Sequence, residues 1–183
     1  DFCEGGALGV KGGNKVAEDI ARFVKDSGDY YDIIVFTLDW HKGLPDTNGG
    51  HFGNPPDFVD SWPVHCVAES QGARLHEAVE GLVESPNNRL FYKGYGKPDY
   101  SGFQGVNKGG IDLDGYLKSM KVTEVHVAGL AADYCVKETT LDSMRRGYST
   151  LFLQTLTAAV HEYGVYKTLV EINETRNEIR SKS

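Results

Sequence analysis

An α/β fold, a three-layer α/β/α sandwich around a mainly parallel sheet, is predicted from three observations. Short apolar runs alternate with amphipathic stretches along the whole chain, the pattern of a parallel sheet covered by helices on both sides. The clearest run, Asp32-Ile-Ile-Val-Phe-Thr-Leu38, is continuously apolar and β-branched, as a strand buried on both faces should be. The 183 residues contain no repeat and no linker-like segment, so one domain over residues 1–183 is expected.

Val16, Ile20, Phe23 and Val24 recur at helical spacing, predicting a helix over 14–27 that Gly28 stops. A strand follows over 32–38. Residues 39–66 carry Gly43, Pro45, Gly49, Gly50, Gly53, Pro55, Pro56 and Pro63 and form a loop; structureless loops of such length are usually functional. Leu75, Val79, Leu82 and Val83 predict a helix near 69–83, and a short strand occupies 89–92. A second Gly/Pro loop runs over 94–110, then a helix over 112–120 and a strand over 124–129. Val136, Leu141 and Met144 mark the apolar side of a helix over 133–146, followed by a strand over 149–153. A polar-faced helix closes the chain over 162–180. Residues 165–183 offer no final apolar strand, so the last sheet edge is expected to be short or absent.

Hydrophobic content of 40% and charged content of 25% are those of an ordinary globular protein. A net charge of −7 lacks the clustered Lys/Arg surface that nucleic acid requires. No apolar run reaches the roughly 20 residues of a membrane span, and no signal-peptide pattern opens the chain. Cys3, Cys66 and Cys135 are odd in number and widely spaced, which argues against a disulfide framework and for a cytoplasmic setting. Self-association into a homo-oligomer is left open.

In open α/β sheets, ligands bind beyond the carboxyl ends of the strands. Three chemistry-bearing segments sit at such ends: Asp39-Trp-His41, Lys93, and Ala131 to Cys135. Asp39, His41, His51 and His65 form an oxygen/nitrogen donor set suited to Zn²⁺, Fe²⁺ or Mn²⁺. Residues two apart in extended chain project to the same side, so Asp39 and His41 are able to share one ion. The competing reading is a surface loop with scattered histidines. His126 reads as a packed or edge residue of its strand, and His76 and His161 as surface residues.

Cys135 lies just inside a predicted helix N-terminus, where unpaired amides and the helix dipole lower a thiol pKa and are able to stabilise an oxyanion. A buried structural cysteine fits the position equally well. Lys93 either points to solvent, as most lysines do, or faces the site and favours a thiolate. Trp62, Tyr95, Tyr100, Phe103 and Tyr134 exceed the aromatic content that solvated loops need and suit the wall of a flat heteroaromatic ligand.

Six ordered motifs then carry a resemblance: Asp1-Phe-Cys-Glu-Gly-Gly6, Asp39-x-His41, Ser61-Trp-Pro-Val-His-Cys66, Phe91-Tyr-Lys-Gly94, Tyr100-Ser-Gly-Phe103 and Gly129-Leu-Ala-Ala-Asp-Tyr-Cys-Val136. Together they resemble the nicotinamidase/pyrazinamidase group of the isochorismatase-like cysteine hydrolases, over residues 1 to about 160. The resemblance implies hydrolysis of nicotinamide to nicotinate and ammonia. It implies Cys135 as nucleophile, Lys93 as its charged partner, and Asp39, His41, His51 and His65 as ligands of one divalent metal. The amides of Ala131 and Cys135 match the oxyanion hole, and the Leu130–Ala131 bond matches a cis peptide. Phe2, Trp62, Tyr100 and Tyr134 match the ring-binding wall, with Tyr134 standing where a histidine is common. The implied metal holds the ring nitrogen rather than making hydroxide.

The chain also departs from that pattern. The family's first strand ends Asp-x-x-x-Asp-Phe, and the first of these carboxylates is the general acid/base. The sequence opens on the second, Asp1, so the first strand and the acid/base are expected upstream of it. A sheet lacking that strand would have two unpaired edges and an apolar slot. Two other functions are weighed: a metal-hydroxide hydrolase with a structural Cys135, and a non-catalytic metal- and nicotinamide-binding protein if the chain truly starts at Asp1.

Overall fold

A computed structural model describes residues 1–84 and 88–182; of the expected C-terminal segment, only Ser183 lies outside them. Helix α1 spans Gly13–Ser27, within one residue of expectation. Strand β1 (Ile34–Asp39) pairs in parallel with β2 (Asn88–Lys93). Helix α3 (Leu113–Ser119) follows, with Asp112 accepting the Gly115 amide as its N-cap. Strand β3 (Glu124–Leu130) pairs in parallel with β4 (Ser149–Ala158), and helix α5 covers Gly164–Ser181.

The strands form two parallel pairs, β1–β2 and β3–β4, with no hydrogen-bonded ladder joining them among the described residues. Two apolar cores pack against the strands, and Val125 of β3 touches both. Val127 and Phe152 meet Val136, Leu141, Met144 and Ile172, which ties β3 and β4 to the helices that follow them. Phe91, fully buried on β2, packs with Phe103, Leu113, Leu117 and Tyr148.

Three elements depart from the sequence expectation. The helix expected over 69–83 is a single α turn, α2 (Glu77–Glu80), flanked by 3₁₀ turns at Gln71–Ala73 and Gly81–Glu84. Gly72 marks the break: its carbonyl accepts from the Asp1 backbone nitrogen (2.8 Å) and from Cys66 Sγ (3.5 Å) instead of a helical amide. A side chain at position 72 would overlap the Asp1 carboxylate. The helix expected over 133–146 begins as a π-helical turn, Ala132–Val136, before α4 (Lys137–Arg145); such turns recur at functional sites. Strand β4 runs five residues past its expected end, through polar Gln154 and Thr155, which are exposed. The register shifts there, from Val127↔Phe152 to Gly129↔Thr157, so β4 bulges and re-joins β3 beside the site.

Candidate active site

The register of β1 on β2 pairs Asp39 with Lys93 at the carboxyl ends of both strands. Both side chains are buried, and Lys93 is only 4% exposed, so the solvent-facing reading of that lysine fails. Its ammonium donates to the Asp39 carboxylate, to the Asp99 carbonyl (3.0 Å) and to Cys135 Sγ (3.4 Å), which occupies all three N–H donors. The thiol arrives from the other strand pair: β3 ends at Leu130, the Leu130–Ala131 peptide is cis, and the π turn presents Cys135. Two separate ladders thus meet at one ammonium.

His41, His51 and His65 converge beside this trio, each offering a ring nitrogen within 4.8 Å of the others. His41 Nδ1–H donates to the Gly94 carbonyl (2.8 Å) and His65 Nδ1–H to the Pro63 carbonyl (2.7 Å). These bonds fix both tautomers and aim each Nε2 lone pair inward. Asp39 Oδ2 faces those nitrogens at 3.5 Å and 3.9 Å. His41 Nε2 and both ring nitrogens of His51 are buried with no hydrogen-bond partner, a costly arrangement for a site without a ligand. Three convergent imidazoles and one carboxylate suit a divalent metal. Gly94 makes the cluster feasible: at φ 84°, a Cβ there would sit 2.7 Å from His41 Nδ1.

Burial is the largest influence on the His51 pKa and lowers it to about 3; burial also lowers His65. Both rings are therefore neutral near pH 7 and need release no proton to bind a metal. Burial works against the charge on Asp39, yet the opposing influences, the Lys93 ammonium foremost among them, hold the carboxyl far below its ordinary range. Burial likewise opposes the Lys93 charge, but Asp39 and Cys135 raise its pKa above the ordinary value.

Cys135 departs from the expected lowered pKa. Burial pushes its thiol up to about 11, and the opposing pull of Lys93 does not overcome it. The sequence argument counted the helix end and a nearby cation but not desolvation, which dominates here. Iodoacetamide labelling of Cys135, followed by peptide mass mapping, should stay slow near pH 8 and climb between pH 9.0 and about 11. A rate already level at pH 7 would contradict this. The linked stability has a definite sign: the folded thiol keeps its proton longer than the unfolded one, so its contribution is full below pH 9.0 and fades as pH rises through about 11. Cys66, pushed up to about 12 mainly by burial, should label more slowly still.

One cleft collects most of the expected wall: Phe2, Trp62, Tyr100, Ala131, Tyr134 and Cys135 line it together with Asp39, His51 and His65. Phe2 meets the His65 ring edge-on at 5.4 Å, Trp62 stands perpendicular to Tyr134 at 4.9 Å, and Trp62 Nε1–H donates to Tyr100 Oη. Leu8 and Val160 complete the lining. Tyr95 and Phe103 do not belong to it. Tyr95 is 61% exposed beneath the Lys42 ammonium, and Phe103 is buried against Tyr148 and Arg146.

Among the other histidines, His126 bonds Tyr31 and Glu124 in its strand, and His76 accepts the Ala78 amide at the start of α2. His161 is exposed as expected, but its Nε2 lies 2.8 Å from Tyr134 Oη, so it braces a wall residue. Sequence reasoning also passed over Asn48 and Asp99. Asn48, fully buried, accepts the Lys42 and Gly96 amides and donates to the Lys42 carbonyl. In the sequence it is a polar residue before two glycines, indistinguishable from an ordinary turn.

Comparison with known proteins agrees with this geometry. The chain is 40% identical over 160 residues to the nicotinamidase/pyrazinamidase of Mycobacterium tuberculosis, covering 87% of this chain and 82% of that protein. Among solved structures it resembles the pyrazinamidase of Pyrococcus horikoshii in complex with zinc: TM-score 0.77, 27% identity, 95% of this chain and 89% of that one. It also resembles PnC1 from L. infantum in complex with nicotinate: TM-score 0.75, 32% identity, 94% of this chain and 82% of that one. The model of the isochorismatase domain matches residues 1–181. Two parallel strand pairs that deliver a lysine, a thiol and a histidine cluster to one cleft are thus accounted for by descent: the chain belongs to the isochorismatase family.

Proposed function

We propose that the chain is one isochorismatase-type hydrolase domain acting as a metal-dependent cysteine amidohydrolase. It converts nicotinamide to nicotinate and ammonia, and pyrazinamide to pyrazinoate, in pyridine-nucleotide salvage. The observation that carries this reading is the meeting of Cys135, Lys93 and three orphaned imidazole nitrogens in one aromatic cleft. The names of the relatives support the substrate class, and the neighbours' bound zinc and nicotinate support both halves of the site.

In this reading Asp39, His41, His51 and His65 hold one divalent ion, Zn²⁺, Fe²⁺ or Mn²⁺. When bound, the ion supplies a Lewis-acid contact for the nitrogen of the substrate ring. Phe2, Trp62, Tyr100 and Tyr134 pack the ring and exclude water, so the carboxamide faces Cys135. Holding the reacting atoms in line is worth several kcal/mol of barrier. Cys135 attacks the amide carbon, and the amides of Ala131 and Cys135 stabilise the developing oxyanion. Lys93 favours the thiolate form. A general acid/base is needed to take the thiol proton and pass it to departing ammonia. Water then releases nicotinate from the thioester. The free cysteines suit a reducing cytoplasm.

The test uses the natural protein, nicotinamide and benzamide, with ammonia release as the readout. Nicotinamide should turn over and benzamide, which has no ring nitrogen, should be a poor substrate; chelation should raise KM for nicotinamide, and added Zn²⁺ should restore it. Equal turnover of both amides would sink the ring-anchoring role of the metal.

A further inference from the structure

Lys93 and His41 serve different halves of the proposed reaction, yet one short segment touches both. Residues 94–99 leave β2 directly after Lys93. The Gly94 carbonyl accepts from His41 Nδ1–H (2.8 Å), and the Gly94 amide donates to Asp99 Oδ2 (3.1 Å). The Asp99 carbonyl accepts from the Lys93 ammonium (3.0 Å). Asp99 Oδ1 accepts from Gln104 Nε2 (2.9 Å), whose Oε1 in turn accepts the amides of Tyr100 and Ser101. Asp99 is 3% exposed, and Lys97 pairs with it from the surface at 3.1 Å.

Every group facing the Asp99 carboxylate is a donor: the Gly94 amide, the Gln104 amide and the Lys97 ammonium. Only an acceptor-only side chain satisfies them all. An asparagine would turn its NH₂ toward one of the two amides, and an alanine would leave both without this partner in a buried position. The segment needs such a pin. Gly94 must be glycine to pass the His41 ring, and a glycine gains freedom that something else must remove.

We propose that Asp99 is a positioning residue that sets the Lys93 ammonium and the His41 imidazole together, by closing the 94–99 segment on itself. Its carbonyl holds Lys93 toward Cys135, and its carboxylate holds the Gly94 carbonyl on His41 Nδ1–H, leaving Nε2 directed into the histidine cluster. The role rests on the functional reading above only for its consequence in turnover. The placement of both side chains is measurable without it.

Asp99→Ala and Asp99→Asn in the natural protein test it, with Co²⁺ as the metal probe and Lys97→Ala as the control. Asp99→Ala should weaken Co²⁺ binding by up to about 10-fold, the low end of what losing the outer partner of a metal-binding histidine costs, because it loosens the Gly94 carbonyl that is that partner. It should also alter the Co²⁺ absorption spectrum and the iodoacetamide rate of Cys135 at fixed pH. Asp99→Asn should show a smaller change of the same kind, and Lys97→Ala none. If Asp99→Ala does not fold, the isosteric Asn variant decides. Parental Co²⁺ affinity, spectrum and labelling rate in a folded Asp99 variant would overturn the proposal, whatever its Tm. Failure of the parent to hydrolyse nicotinamide would instead overturn the functional reading, and the Co²⁺ response of the variants would still stand.

Discussion

Cys135→Ala is expected to lower nicotinamide turnover by roughly 10⁴-fold or more, the scale of removing a covalent nucleophile, while metal and nicotinamide binding persist. Cys135 meets the cleft and the Lys93 ammonium, but its sulfur is not among the imidazole nitrogens of the metal-competent cluster. Removing the sulfur should therefore empty the reaction of its nucleophile without disturbing the ring-binding side. Ammonia release and nicotinamide calorimetry on one protein sample read the two consequences separately. A metal-hydroxide mechanism makes the opposite forecast: turnover would survive Cys135→Ala and vanish on chelation. Substantial residual turnover in Cys135→Ala would end the thiol mechanism.

Lys93→Met should be destabilising as well as inactivating. The substitution leaves Asp39, 7% exposed, as a buried carboxylate without its cation. Breaking a buried pair from one side costs about 3–5 kcal/mol, roughly 6–20 °C in Tm for a chain of this size. Chelator in the melt keeps a bound ion from replacing the lost charge. The Cys135 thiol also loses the neighbour that pulls its pKa down, so its labelling should slow at every pH below 11. A Tm within 2 °C of the parent would mean that the Asp39 charge is not held by Lys93.

Much of this site is legible in the chain because its parts sit at element ends, and element ends leave sequence marks. The β-branched run before Asp39, the short strand before Lys93 and the run before Gly129 each announce a carboxyl edge. Glycines and prolines mark the loop that carries His51 and His65. The helix over 69–83 failed for the converse reason. Periodic Leu75, Val79, Leu82 and Val83 satisfy the helical pattern, but the Gly72 carbonyl is claimed by Asp1 from 71 residues away. Pattern records which face is apolar; it does not record which carbonyl a distant residue will use.

By itself the sequence determined the α/β class, and it supplied the candidate nucleophile and candidate metal ligands in the order in which the chain presents them. These follow from local quantities: hydrophobic period, turn residues and the donor chemistry of each side chain. Only the tertiary structure decided that Lys93 faces Asp39 and Cys135 rather than water, that Tyr95 and Phe103 leave the cleft, and that Asp99 ties Lys93 to His41. It also reversed the expected pKa of Cys135. Register, close approach and desolvation arise between residues far apart in the chain, and no local pattern encodes them.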